Sequence, residues 1–277
     1  MYKAVSPGNI GHGGRFLDNA EVTAKAGYEG YLFDITGDSK SSVSEIKEML
    51  AKTGLKAGGF GLPLEYRKDE NTFNEGLSKL EGYAKFAADI GANRCITWIL
   101  SFSEEFPWKE NFELHRTRLR KCCEIFKDYG ILFGMEFLGP PSIRKGRKYE
   151  FIHNLDQMLE LCDAIGTGNA GLLLDIFHWD LAGQTRADFS KITNEMVALV
   201  HIMDAPAGVA VEDQQDGVRG LPGSTGVLRI AEFFDGLKSI GYDGPVAPEP
   251  FDKSLGEIPY TEALDVVMAA INKVWPK

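Results

Sequence analysis

Two kinds of segment alternate along the chain. Short runs of mostly apolar residues lie at 3–6, 30–35, 56–60, 94–99, 131–137, 170–175, 198–203 and 244–249. Each is followed by a turn and a longer stretch whose apolar positions recur every three to four residues. Near-continuous apolar runs suit strands covered on both faces, as in parallel sheets, and the helical period marks amphipathic helices. The spacing predicts helices over 19–26, 44–53, 72–90, 112–129, 155–165, 189–195, 227–240 and 261–274. Gly27, Gly54, Gly91, Gly130, Gly166 and Gly241 follow six of them, as expected of the residue that most easily closes a helix in the left-handed conformation. Eight strand–helix units in this order predict an α/β fold, a closed (β/α)8 TIM barrel, as a single domain over 1–277. The rival is an open doubly wound sheet, which usually begins with a phosphate loop. Gly11-His12-Gly13-Gly14 after the first run has neither of the usual glycine spacings.

Composition narrows the function. The 277 residues are 44% hydrophobic and 25% charged, with a formal net charge of −10. That acidity opposes binding to nucleic acid and suits a site built from carboxylates around a cation. No stretch approaches the roughly 18 apolar residues of a membrane span, and the first residues lack a signal-peptide core. A cytoplasmic protein is expected. Cys95, Cys122, Cys123 and Cys162 form no CxxC pair and read as reduced, buried thiols.

The chemistry collects at the ends of the last four runs, which carry Glu136, Asp175, His201 and Glu249. Strand ends of a barrel converge on one mouth, so residues far apart in sequence share a small volume. Taken singly, Asp175 reads as a helix cap, Glu136 and Glu249 as salt-bridge partners, and His201 as a hydrogen-bonded core residue. Together they would crowd three carboxylates into one place, and a divalent cation relieves that repulsion. One nitrogen among oxygens suits Mn²⁺, the first choice, or Mg²⁺, Co²⁺ or Zn²⁺. The long loops 100–111, 139–154 and 205–225 follow strands four, five and seven and are expected to close over a substrate.

The segments Gly134-Met135-Glu136, Asp175-Ile176-Phe177-His178, His201-Ile202-Met203-Asp204, Arg219-Gly220-Leu221-Pro222-Gly223 and Gly241-Tyr242-Asp243-Gly244 resemble the xylose isomerase-like barrel superfamily. That sugar phosphate isomerase/epimerase group includes ketose 3-epimerases, hydroxypyruvate isomerase and inosose dehydratase. The resemblance is sharpest over 132–251. It implies that Glu136, Asp175, His201 and Glu249 bind the metal and that Glu136 and Glu249 also serve as acid and base. It implies that His178 and Arg219 contact substrate oxygens, in an isomerase or epimerase that moves a proton beside a carbonyl through a metal-stabilised enediolate. A homo-oligomer is a further implication. The same site would serve an inosose-dehydratase-like lyase. A trinuclear-zinc DNA-repair endonuclease needs more histidines than the five present, and a non-catalytic metal-binding barrel is the remaining alternative.

The substrate is expected to be a small sugar or polyol. Trp98 and Phe60, with Trp108 and Phe251, are candidates for an apolar wall. His12 is placed at the mouth or in a solvated loop, and His115 and His153 at the surface. The basic cluster Arg144, Lys145, Arg147 and Lys148 reads as a solvated loop or an anion site. The loops at 139–154 and 204–218 are where the chain departs from the pattern, so no particular sugar is assigned.

Overall fold

The computed structural model describes residues 1–276. Eight parallel strands form a closed barrel in sequence order: β1 (Tyr2–Val5), β2 (Gly30–Phe33), β3 (Lys56–Gly61), β4 (Arg94–Ile99), β5 (Leu132–Phe137), β6 (Ala170–Asp175), β7 (Val197–Ile202) and β8 (Pro245–Pro248). The Tyr2↔Pro245 pairing closes the ring. Around it stand α1 (Phe16–Lys25), α2 (Val43–Thr53), α3 (Glu70–Ile90), α4 (Trp108–Asp128), α5 (Leu155–Ile165), α6 (Ile176–Leu181), α7 (Ile230–Ser239) and α8 (Tyr260–Val274). Local chemistry sets the helix ends. Ser42 and Glu45 form a capping box at the start of α2, and Asp69 caps α3 by accepting from the Thr72 N–H. At the other end of α3, Gly91 takes φ +84°, where a β-carbon would be strained.

Burial falls into two layers. The larger packs the outward faces of the strands against the helices, with Phe16, Phe126, Phe133 and Phe177 fully buried there. A smaller cluster, Ala4, Leu32, Leu173, Leu199 and Ala247, fills the barrel interior. It forms an apolar floor on which the polar mouth rests. The four cysteines are free and buried. Among the described residues, no helix is long and apolar enough to cross a membrane.

Three expectations change here. The helix expected over 189–195 is replaced by short 3-10 turns at Arg186–Lys191 and Asn194–Met196, and α6 comes earlier in the connection. The β-branched pair Ile192 and Thr193 is extended (ψ 161° and 167°), which breaks the helix. Phe189 still serves the core, packed on Trp179 and Phe233. Phe60 does not face the mouth. A bulge in β3 pairs Leu32 with Gly59 rather than Gly58, which turns Phe60 outward beside Phe33. It is fully buried against Phe126 in the outer layer.

His115 and His153 are not surface residues. His153 is half-buried, and its Nδ1 bonds the Phe151 carbonyl. His115 lies buried in α4 between the Tyr66 and Phe151 rings. Its Nδ1–H donates to the Asn111 carbonyl at 2.7 Å, leaving Nε2 buried. Burial holds its pKa down at about 4. The unfolded chain therefore binds the proton first, so stability is full above about pH 6.5 and falls as the pH drops toward 4. The expected contribution is about 3 kcal/mol over that window. Urea unfolding of wild type and His115→Phe at pH 7 and pH 5 checks it. The substitution should flatten the loss on acidification, and identical losses would show that His115 is not the group responsible.

Candidate metal centre

Four adjacent positions around the ring supply the site. Glu136 ends the inward row of β5, Asp175 is the last residue of β6, His201 the penultimate residue of β7, and Glu249 follows β8 directly. The barrel register sets Asp175 opposite His201, and the Glu249 N–H bonds the Ile202 carbonyl at 3.1 Å. One donor atom from each of Glu136, Asp175, His201 and Glu249 falls within 4.8 Å of the others. His201 Nδ1 stands 3.4 Å from Glu249 Oε2 and 3.8 Å from both Glu136 Oε1 and Asp175 Oδ2. These separations exceed good hydrogen-bond lengths. Among the described residues, no hydrogen bond reaches the buried Glu136 Oε1 or either ring nitrogen of His201.

Asp175 caps a helix with one oxygen and turns the other toward the cluster. Its Oδ1 accepts from the N–H groups of Phe177 (2.7 Å) and His178 (3.2 Å), capping α6. Its Oδ2 is left for the centre, 2.9 Å from Arg219 Nη1. The cap fixes the carboxylate plane, so the helix start aims the second oxygen.

The electrostatics follow from this crowding. Burial, with Asp175 and Glu249 nearby, pushes the Glu136 carboxyl up to about 8, against the pull of His201. Burial also raises Asp175, to about 6, against Arg219. Burial works against the Glu249 anion too, yet His201 and Arg219 hold its carboxyl below the usual range. Burial resists protonation of His201, but Glu249 and Glu136 outweigh it and push the imidazole up to about 10. Without a cation, this crowding favours the protonated forms of Glu136 and His201.

Arg219 and His178 lie beside this cluster. Arg219 Nη1 also meets Glu249 Oε2 at 2.8 Å, and its Nη2 pairs with Asp216. The guanidinium carbon lies 4.7 Å from the centre of the Phe177 ring and 4.5 Å from that of Phe251. His178 Nε2 stands 3.0 Å from Arg219 Nη2 and 3.4 Å from Asp216 Oδ1, and its Nδ1 faces the Gly139 N–H at 3.3 Å. Burial and Arg219 keep this imidazole neutral. Gly139 is required at that contact, because a β-carbon there would collide with the His178 carbonyl.

A cavity of about 280 Å³ opens over the cluster, lined in part by Glu136, His201, Glu249, Trp98, Arg67 and Asn9. Trp98 is at the mouth as expected. Trp108 is not; it packs on Phe151 in the first turn of α4. His12 bonds the Leu255 carbonyl at 2.8 Å, away from that lining. Three of the four basic residues pair with acids at 3.3–3.8 Å, through Arg144–Glu150, Lys145–Asp213 and Arg147–Glu104. These pairs link the 139–154 loop to its neighbours at 100–111 and 205–225, helped by a ribbon pairing Phe102–Ser103 with Tyr149–Glu150.

Two contributors were not singled out from sequence as site residues. Arg67 follows β3 at the mouth, and the strand-end rule that found the acids would have drawn attention to it. Asp204 is fully buried, and its carboxylate accepts from the N–H groups of Ala205, Thr225, Gly226 and Leu228 at 2.8–3.0 Å. It folds the 205–225 loop back and, through paired backbone bonds with Gly220, sets the position of Arg219.

The xylose isomerase-like TIM barrel family matches residues 20–271. The chain belongs to this family. An inosose isomerase of Halalkalibacterium halodurans is 25% identical over 213 residues, which is 74% of this chain and 71% of that protein. A xylose isomerase domain protein from Alicyclobacillus acidocaldarius superposes with a TM-score of 0.85 at 27% identity, covering 99% of this chain and 98% of the other. The IOLI protein, solved with a binding zinc atom, superposes with a TM-score of 0.82 at 18% identity, covering 99% and 98%. The fold of this family is the one observed.

Proposed function

We propose that the protein is a divalent-metal-dependent isomerase or epimerase, moving a proton beside the carbonyl of a small sugar or polyol. The observation that carries this reading is the convergence of four donor groups, with Glu136 Oε1 and both His201 nitrogens buried and lacking hydrogen-bond partners. Buried polar atoms without partners are costly, and a cation would offset that cost. Glu136, Asp175, His201 and Glu249 would hold it. Three carboxylates and one imidazole suit Mn²⁺ first, with Mg²⁺, Co²⁺ or Zn²⁺ as alternatives. The zinc reported with the IOLI protein and the isomerase name of the H. halodurans relative support this assignment.

Bound there, the ion would polarise a substrate carbonyl and acidify the neighbouring C–H. The protein supplies the proton movement. Glu136 and Glu249 come from β5 and from beyond β8, with the strands of Asp175 and His201 between them. A carboxylate has lone pairs enough to serve a cation and a proton together. One glutamate removes a proton, and the other returns it from the opposite face. Return to the same carbon inverts its configuration, and return to the adjoining carbon moves the carbonyl. Arg219 and His178, beside the cluster, would hold substrate oxygens, while Trp98 bounds the apolar side of the pocket.

Incubation of the Mn²⁺-loaded protein in D₂O with a panel of ketoses and inososes tests the reaction. Deuterium entering at a carbon beside the carbonyl is expected. No incorporation across the panel would refute the proposal, and loss of water from an inosose without exchange would assign lyase chemistry instead.

A further inference from the structure

Trp98 is the direct cross-strand partner of Glu136. Its indole is 41% exposed at the mouth, although Cys95 and Ile99 on the same strand are fully buried. Arg67 lies over the ring, with its guanidinium carbon 3.9 Å from the centroid. The buried Tyr66 sets this stack by donating its hydroxyl to the Trp98 carbonyl at 2.6 Å. Glu65 then closes on Arg67. Its Oε1 accepts from Nε at 2.8 Å and from the Arg67 backbone N–H at 2.9 Å, and its Oε2 accepts from Nη2 at 3.0 Å. Such a fork-to-fork pair fixes the guanidinium plane and compensates its charge. Arg67 and Trp98 line the same cavity as Glu136, His201 and Glu249.

We propose that Glu65, Arg67 and Trp98 form the specificity-determining wall of the site and select uncharged polyol ketones over anionic ones. This rests on the reaction proposed above. The exposed indole offers an apolar surface to the C–H side of a polyol, as aromatic side chains with one wet edge can. The guanidinium, already matched by Glu65, offers a carboxylate little more attraction than an alcohol. Arg219, the other guanidinium of the site, keeps Asp216 as its partner even where a cation takes Asp175 and Glu249. An anionic substrate would have to displace a carboxylate at either place.

The test compares D-fructose with D-fructuronate, which has the same skeleton but a terminal carboxylate in place of the primary alcohol. Dissociation constants are measured calorimetrically on the Mn²⁺-loaded full chain. Wild type is expected to favour D-fructose. Glu65→Gln removes the counter-charge and should shift the ratio toward D-fructuronate by about tenfold or more. A merely structural role for Glu65 would weaken both ligands alike and leave the ratio unmoved. Should Glu65→Gln not fold, Arg67→Met leaves Glu65 unpaired and should shift the ratio about tenfold the other way. The proposal is overturned by a ratio unchanged in the folded variant, by a wild type that prefers D-fructuronate, or by a wild type that binds neither sugar. Because the readout is binding, a chain that shows the expected ratios without exchanging deuterium would sink the reaction and leave the wall in place.

Discussion

Glu249→Gln is expected to slow deuterium exchange into a turned-over ketose by about 10³-fold or more. The amide keeps the size of the side chain and one carbonyl oxygen, but it no longer accepts a proton under working conditions. Glu249 is poised for that duty, since His201 and Arg219 hold its carboxyl low in the cation-free site and a bound divalent ion would keep it ionised in their place. Glu136→Gln should produce a loss of similar size, because one carboxylate removes the proton and the other returns it. The effect is measured by mass spectrometry of sugar recovered from reactions at saturating Mn²⁺, which separates lost proton transfer from weakened ion binding. A residual rate within tenfold of wild type in either variant would remove that glutamate from the proposed pair.

The second large effect is on the loop that carries Arg219. Asp204→Ala leaves four backbone N–H groups, those of Ala205, Thr225, Gly226 and Leu228, without the carboxylate that now gathers them. Hydrogen bonds to a charged group are each worth about 1.5–3 kcal/mol, and part of that loss is recovered where water reaches the freed loop. The expected fall in unfolding free energy is about 4 kcal/mol. Asp204→Asn keeps one acceptor oxygen and should lose about half as much. Urea unfolding with linear extrapolation reads both. A loss under about 1 kcal/mol in the alanine variant would show that the loop is held by other contacts. Because Gly220 exchanges backbone bonds with Asp204, the freed loop should also release Arg219 from Asp175 and Glu249.

The barrel and its four convergent residues could be read from the chain because both follow from simple periods. Continuous apolar runs with glycine-ended helices mark β/α units, and a polar residue closing such a run lies at the mouth whichever strand carries it. Parity was harder to read. Phe60 was expected at the mouth, and the single bulged residue in β3 sends it to the outer layer. No residue pattern in Lys56-Ala57-Gly58-Gly59-Phe60 states which glycine is the extra one. Partnerships were harder still. Arg67 stacks on a ring thirty-one positions away, and Asp204 takes hydrogen bonds from residues 21 to 24 positions ahead. His115 shows the limit of composition, because an imidazole that packs as an aromatic ring has the same letter as one that faces water.

Glu136, Asp175, His201 and Glu249 are together expected to hold one divalent ion. Anomalous diffraction from crystals of the Mn²⁺-loaded protein tests it most directly. A single strong peak per chain is expected, bonded to all four side chains, with Arg219 no longer paired to Asp175 and Glu249. A peak elsewhere, or none after loading, would contradict it.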